Sequence, residues 1–203
     1  MAYSVLGIYN LALSELGVSK IDSTSESSTA ANRLNDVYQY VRDEVLEADD
    51  WDFATTRVLI AANAETPVYG YDYAYTLPAD FLKLCEDKKD DPPVYPNTYP
   101  YVIEALDDGT HCLFCDYDNS DSNLSIKYIR REENPARYSA SFVRALSARL
   151  AGAVALALTE SLKKFEAMET LYDSRLRKAE GVGRSGNSIT NETGSTDWIY
   201  AGR

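Results

Sequence analysis

The chain has 203 residues, enough for one large folded unit or one unit carrying an insertion. Its 20 Lys and Arg stand against 32 Asp and Glu, and the formal charge of -12 argues against affinity built on neutralising phosphates, so sequence-specific DNA binding is not expected. Three cysteines, an odd number, do not suggest a disulfide framework and fit a reducing cytoplasm.

The opening Met1-Ala2-Tyr3-Ser4-Val5-Leu6-Gly7 has no basic or continuous apolar region, so export is not expected. Ser4 is placed to cap a first helix with Leu6, Tyr9, Leu13 and Leu16 on one stripe, and Gly17 to close it. A Ser/Thr-rich loop from Ser23 to Thr29 leads into a second helix, with Ala30, Leu34, Val37, Val41, Val45 and Ala48 at helical spacing and Arg33, Arg42, Asp43 and Glu47 on other faces. Trp51 and Phe53 follow as core anchors at the hand-over to a different texture.

From Val58 to Arg131 Pro, Gly, Asp and Tyr punctuate short β-prone runs, and Leu77 is assigned to the core of this part. Tyr69, Tyr71, Tyr73 and Tyr75 alternate, so an extended segment puts four rings on one face. That face either packs on the β-rich core or forms a subunit or nozzle interface, where Tyr is enriched. Asn119, Ser120, Asp121 and Asn123 read as a polar hairpin turn between a strand ending near Tyr117 and one from Leu124 to Arg131. Arg130 and Arg131 are strand-end charges, solvated or paired with Glu132 and Glu133.

Helical pattern returns at Ser141, with Phe142, Leu146, Leu150, Val154 and Leu158 on one face. Ala148, Ala151, Gly152, Ala153, Ala155 and Ala157 cover much of the rest, which implies burial against helices at close range. The run from Leu150 to Leu158 is shorter than the roughly 20 residues that span a bilayer, and no membrane insertion is expected. A last helix carries Phe165, Met168, Leu171, Tyr172, Leu176 and Ala179 and is expected to stop at Gly181 or Gly183. The fold class is α+β. A discontinuous antiparallel helical bundle takes residues 1–57 and 138–181, a barrel- or sandwich-like β insertion takes 58–137, and 182–203 form a flexible C-terminal arm. The arm ends Trp198-Ile199-Tyr200, three large side chains that point to docking on a partner, the alternative being a fold back onto the bundle.

The best metal candidate is His111-Cys112-Leu113-Phe114-Cys115 with Cys85 as a fourth ligand. On a strand, however, Cys112 and Cys115 point to opposite faces, and there is no second Cys-x-x-Cys. Asp116, Asp118 and Ser120 begin a calcium-loop spacing that Asp121 and Lys127 break where Gly and Glu are required. One histidine and no phosphate-binding glycine loop leave no catalytic residue, metal or cofactor expected; a zinc-binding enzyme is the remaining enzymatic alternative.

Trp51-Asp52-Phe53-Ala54 with Arg57, then Tyr75-Thr76-Leu77-Pro78-Ala79-Asp80-Phe81-Leu82, then Ile126-Lys127-Tyr128-Ile129-Arg130-Arg131, and then Phe142 to Ala151 occur in an order and spacing that can be compared with known families. With Glu15-Leu16-Gly17-Val18 and Val41 to Leu46 upstream, the chain from about Leu6 to Ala179 resembles the tubular tail protein A family, the head-to-tail adaptor of short-tailed bacteriophages. The resemblance implies a homo-oligomeric, dodecameric ring below the portal that continues the DNA channel and receives a nozzle of the tubular protein B type. It places the helical part on the portal, the β part toward the nozzle and tail fibres near that junction, in a virion tail whose parts are made in the bacterial host cytoplasm. Double-stranded DNA passes the lumen without specific binding, and lumen carboxylates suit this because they repel phosphates. A head-completion or neck protein of a longer-tailed phage is the structural alternative.

Overall fold

The computed structural model describes residues 3–64, 67–85, 100–106, 109–116 and 123–187, with side chains of the last helix to Ala179, and all statements below concern these. Helix α1 (Val5–Leu16) begins where the Ser4 hydroxyl accepts the Gly7 N–H at 3.1 Å. It ends at Gly17, whose φ of 66° is the left-handed cap that glycine adopts without a Cβ penalty. Both signals lie where the sequence places them, and Tyr9, Leu13 and Leu16 are buried.

Helix α2 (Thr29–Ala48) is capped by Ser28, which accepts the Ala31 N–H at 3.2 Å. Its buried face is Ala31, Leu34, Tyr38, Val41, Arg42, Val45 and Leu46. The stripe is therefore rotated from the expected one: Val37 is half-buried, Ala48 is exposed and Arg42, assigned outward, is only 4% exposed. Tyr38, Arg42 and Leu46 follow one another at i+4 and form a second edge of the stripe, with the Arg42 stem covering apolar surface and Asp43 neutralising its head.

All six strands lie between α2 and α3 in the chain: β1 (Thr55–Ala61), β2 (Tyr73–Thr76), β3 (Phe81–Leu84), β4 (Tyr101–Ala105), β5 (His111–Cys115) and β6 (Asn123–Arg130). They form two three-stranded antiparallel sheets, β1-β6-β3 and β2-β5-β4, and not a closed barrel. The sheets touch through an Ala62–Tyr75 bridge and the Asn63 N–H to Ala74 C=O bond of 2.8 Å. The expected hairpin between β5 and β6 does not exist. Cys115 is flanked by Tyr73 and Tyr101, so both edges of β5 are taken, and the chain leaves for the other sheet.

Helix α3 (Ala140–Thr159) is capped by Ser139 and packs on α1, α2 and α4 (Leu162–Asn187). Phe142, Leu146, Leu150, Val154 and Gly152 are buried, as are Ala148, Ala151 and Ala155, but Ala153 and Ala157 are exposed. By length and composition α3 is able to cross a membrane, yet 61% of its most apolar stretch is buried inside the protein. Helix α4 does not stop at Gly181 or Gly183; it runs on to Asn187, so residues 182–187, expected in the flexible arm, are helical. A helical glycine lacks only about 1 kcal/mol of propensity, and it ends a helix only where the left-handed cap replaces the next turn. Residues 188–203, with Trp198, Ile199 and Tyr200, lie outside the described residues.

Two cores result. The helices share one with Trp51, Ala54, Cys85, Ile129 and Tyr138. Ile60, Tyr75, Leu77, Leu113, Cys115, Leu124, Ile126 and Tyr128 make the other, between the sheets. Strand β6 serves both, because alternate residues of a strand face opposite sides: Tyr128 enters the sheet core and Ile129 the helical one. Trp51 and Phe53 sit at this seam as expected, each 5.0 Å from the Phe142 ring, and Trp51 Nε1 donates to Val45 C=O at 2.8 Å.

Candidate functional site

The candidate zinc ligands are dispersed. Cys85 lies in the helical core and Cys115 in the sheet core, while Cys112, three residues away on β5, turns to the opposite face, 3.7 Å from Asn63 Nδ2 and Thr76 Oγ1. His111 is exposed, beside an open groove of about 1100 Å³ that Leu77, Pro78, Phe81, Tyr101 and Ile103 also line. Among the described residues no three His, Cys, Asp or Glu side chains converge on a point. Burial, followed by the nearby Asp50 charge, pushes the Cys85 thiol up to about 11, so it is held as an unreactive thiol.

Charged chemistry concentrates instead where the chain returns from β6 to α3. Glu132, 6% exposed, accepts Arg130 Nη2 at 2.7 Å, Arg137 Nη1 at 3.0 Å and its neighbour Asn134 N–H at 3.0 Å. Burial alone would raise its pKa, but the Asn134 N–H, Arg137 and Arg130 outweigh that and hold it below the ordinary carboxylate value. The Glu132 C=O accepts the buried Tyr138 hydroxyl at 2.9 Å. Alongside, Asp43 of α2 accepts Arg42 Nε and Arg131 Nε, both at 2.8 Å, and the Arg131 N–H donates to Asp80 C=O at 2.6 Å. Two carboxylates from different elements thus tie four arginines across the seam between helices and sheets. Of the strand-end arginines, Arg130 pairs with Glu132 as expected, while Arg131 reaches across to α2, which sequence spacing did not disclose.

A second set holds the helices to one another. Arg149 pairs with Glu44 and Glu169, each at 2.7 Å, and lies 5.6 Å from the Tyr172 ring centroid. Arg175 Nη1 donates to Glu15 Oε1 at 2.6 Å and to Arg144 C=O at 2.7 Å. These pairs join α2 to α3, α3 to α4 and α1 to α4.

The tyrosine row does not form a single face. Strand β2 begins only at Tyr73, because Gly70 at φ 89° breaks the extended run. Tyr75 is fully buried in the sheet core, Tyr73 and Tyr71 are half-buried, and Tyr69 is 88% exposed beside the exposed Val68. The Tyr69 end of the row is its most exposed part. No protein-family model matches this chain, and no curated protein matches it either.

Proposed function

We propose that this chain is a non-enzymatic structural protein of a phage particle, the head-to-tail adaptor that forms a ring between portal and nozzle and continues the DNA channel. The observation that supports the reading is the division of the helices in sequence. Helices α1 and α2 precede the strands and α3 and α4 follow them, yet the four share one core, with a second core between the inserted sheets. A discontinuous helical bundle with a β insertion is the architecture the resemblance implies.

The seam of ion pairs suits such a part, since an adaptor transmits force between portal and nozzle and has to keep its two halves in fixed relation. In this reading the bundle docks on the portal and the sheets meet the nozzle, with Val68 and Tyr69 at an exposed turn able to reach it or a neighbouring subunit. Trp198, Ile199 and Tyr200 take the portal side. Twelve copies around the portal leave a lumen whose carboxylates repel DNA and let it slide.

The test is sedimentation of the purified protein alone and with the portal of the same particle. Alone it sediments mainly as a monomer, and with the portal it co-sediments as a ring. Stable large rings in the absence of portal, or no co-sedimentation, would count against the reading.

A further inference from the structure

Helix α3 has the composition of a helix buried all round, yet one side of its second half is open. Ala153, Leu156 and Ala157 are exposed there, Leu156 to 48%, and no charged residue stands between Arg149 and Glu160. Arg149 lies four residues before Ala153 and seven before Leu156, so the three share the side of α3 on which Arg149 reaches Glu44 of α2. Phe142, seven residues earlier on that side, is covered by Trp51; beyond Arg149 the side is open.

A second uncharged face is on α1. Its single charged side chain, Glu15, is held by Arg175, and Gly7, Leu11 and Ser14 are exposed on its outer side, Leu11 to 44%. Glu15 also accepts Ser147 Oγ at 3.4 Å, and Ser147 lies nine residues before Leu156, half a turn round the helix. Helix α1 therefore sits on the flank of α3 opposite the open face, and its own outer side is turned the other way.

We propose that these two faces meet between copies of the chain, the Gly7–Leu11–Ser14 face of one seating on the Ala153–Leu156–Ala157 face of the next. Charge makes a second copy the fitting occupant. A chain of formal charge -12 repels its like, and α2 and α4 present the exposed carboxylates Asp36, Glu44, Glu47, Glu166 and Asp173, whereas these two faces let acidic copies approach without setting carboxylate against carboxylate. Gly7, Ser14 and the two alanines let the helix backbones come close, so that Leu11 and Leu156 reach across. Unlike faces on opposite flanks make a heterologous contact, the kind that rotation closes into a ring, and the proposal rests on the ring reading above.

Ser14→Cys and Ala153→Cys place a thiol in each face and leave both leucines; the three native cysteines are buried. The two full-length variants, carrying different tags, are mixed without portal and treated with a short bismaleimide. Unlike pairs are expected to link about tenfold faster than like pairs or than pairs with an Ala167→Cys control. Leu11→Glu in the first chain or Leu156→Glu in the second should remove that advantage; both positions are exposed, so the fold is kept, which thermal melts check. Added salt should increase the advantage, because it screens the repulsion between acidic chains and leaves an apolar contact intact. Linking that salt abolishes, faster linking of either variant to itself, or no pair above the control overturns the proposal. So does faster linking within single chains carrying Ala153→Cys and Thr196→Cys than within chains carrying Ala167→Cys and Thr196→Cys, which would make residues 188–203 the cover of this face. If rings still form on the portal in those cases, the adaptor reading stands without this contact. If unlike pairs link but no ring forms on the portal, it is the adaptor reading that fails.

Discussion

Replacing Gly152 separates two opposed effects that the structure lets one weigh. An alanine there gains about 1 kcal/mol of helix propensity. Its Cβ would lie 2.6 Å from Glu169 Oε1, a contact that has to be relieved. The Glu169 side chain is 36% exposed, so its carboxylate can swing out and give up the 2.7 Å bond to Arg149, an exchange worth about 0.2–1 kcal/mol for so open a pair. Arg149 retains Glu44, and Gly152→Ala should therefore change stability by less than about 1 kcal/mol. Leucine is different, because its further carbons point toward Met168 Cβ, already 3.7 Å from the Cβ position, and overpacking of this kind costs about 1–3 kcal/mol. Thermal melts followed by circular dichroism should show Gly152→Leu lowered by about 2–12 °C, given about 2–4 °C per kcal/mol at this chain length. The exposed Ala153→Leu should stay within about 0.5 kcal/mol of the parent. A Gly152→Leu protein that melts with the parent, or an Ala153→Leu protein that fails, would show that the α3–α4 crossing is not the close one described.

Glu132→Gln should destabilise by about 1–2 kcal/mol, because the Arg130 and Arg137 left short of a carboxylate are partly or largely exposed and water answers them. The native Glu132 pKa is depressed below 4.5, so its contribution is present above that pH and is lost as pH falls through the native value; urea titrations should show the gap between variant and parent closing in acid. Cys85 has the opposite sign. Its native pKa of about 11 exceeds the ordinary 9.0, so its contribution is complete below pH 9 and fades as pH rises through 11, and iodoacetamide at pH 8 should label it only in urea. Trp198→Ala should weaken portal binding by about 2 kcal/mol and leave the melting temperature unchanged; a lowered melting temperature with intact binding would favour a fold back onto the bundle.

Local signals were legible and long-range ones were not. Ser4, Gly17 and, on α3, Ala148, Ala151, Gly152 and Ala155 could be read because caps and close crossings are decided within a few positions, while Ala153 and Ala157, expected in the same buried surface, are exposed; Trp51 and Phe53 were legible because large rings at a change of texture have few places to go. Arg42 was misplaced because charge is a poor guide to burial when the next residue supplies the counter-ion. The β5–β6 hairpin was misread because adjacency in sequence is only a prior for pairing, and β5 already had Tyr73 and Tyr101 as neighbours. The Asp43–Arg131 bond joins residues 88 positions apart and left no trace in any local pattern.

The central claim is that copies of this chain assemble as a ring on a portal. Cryo-electron microscopy of the purified protein mixed with the portal of its own particle tests it most directly. The account predicts a single ring of the chain coaxial with the portal, helices toward it and sheets away, around an open channel wide enough for duplex DNA. A portal that remains bare at saturating protein, or one decorated only at its rim by isolated copies, would contradict it.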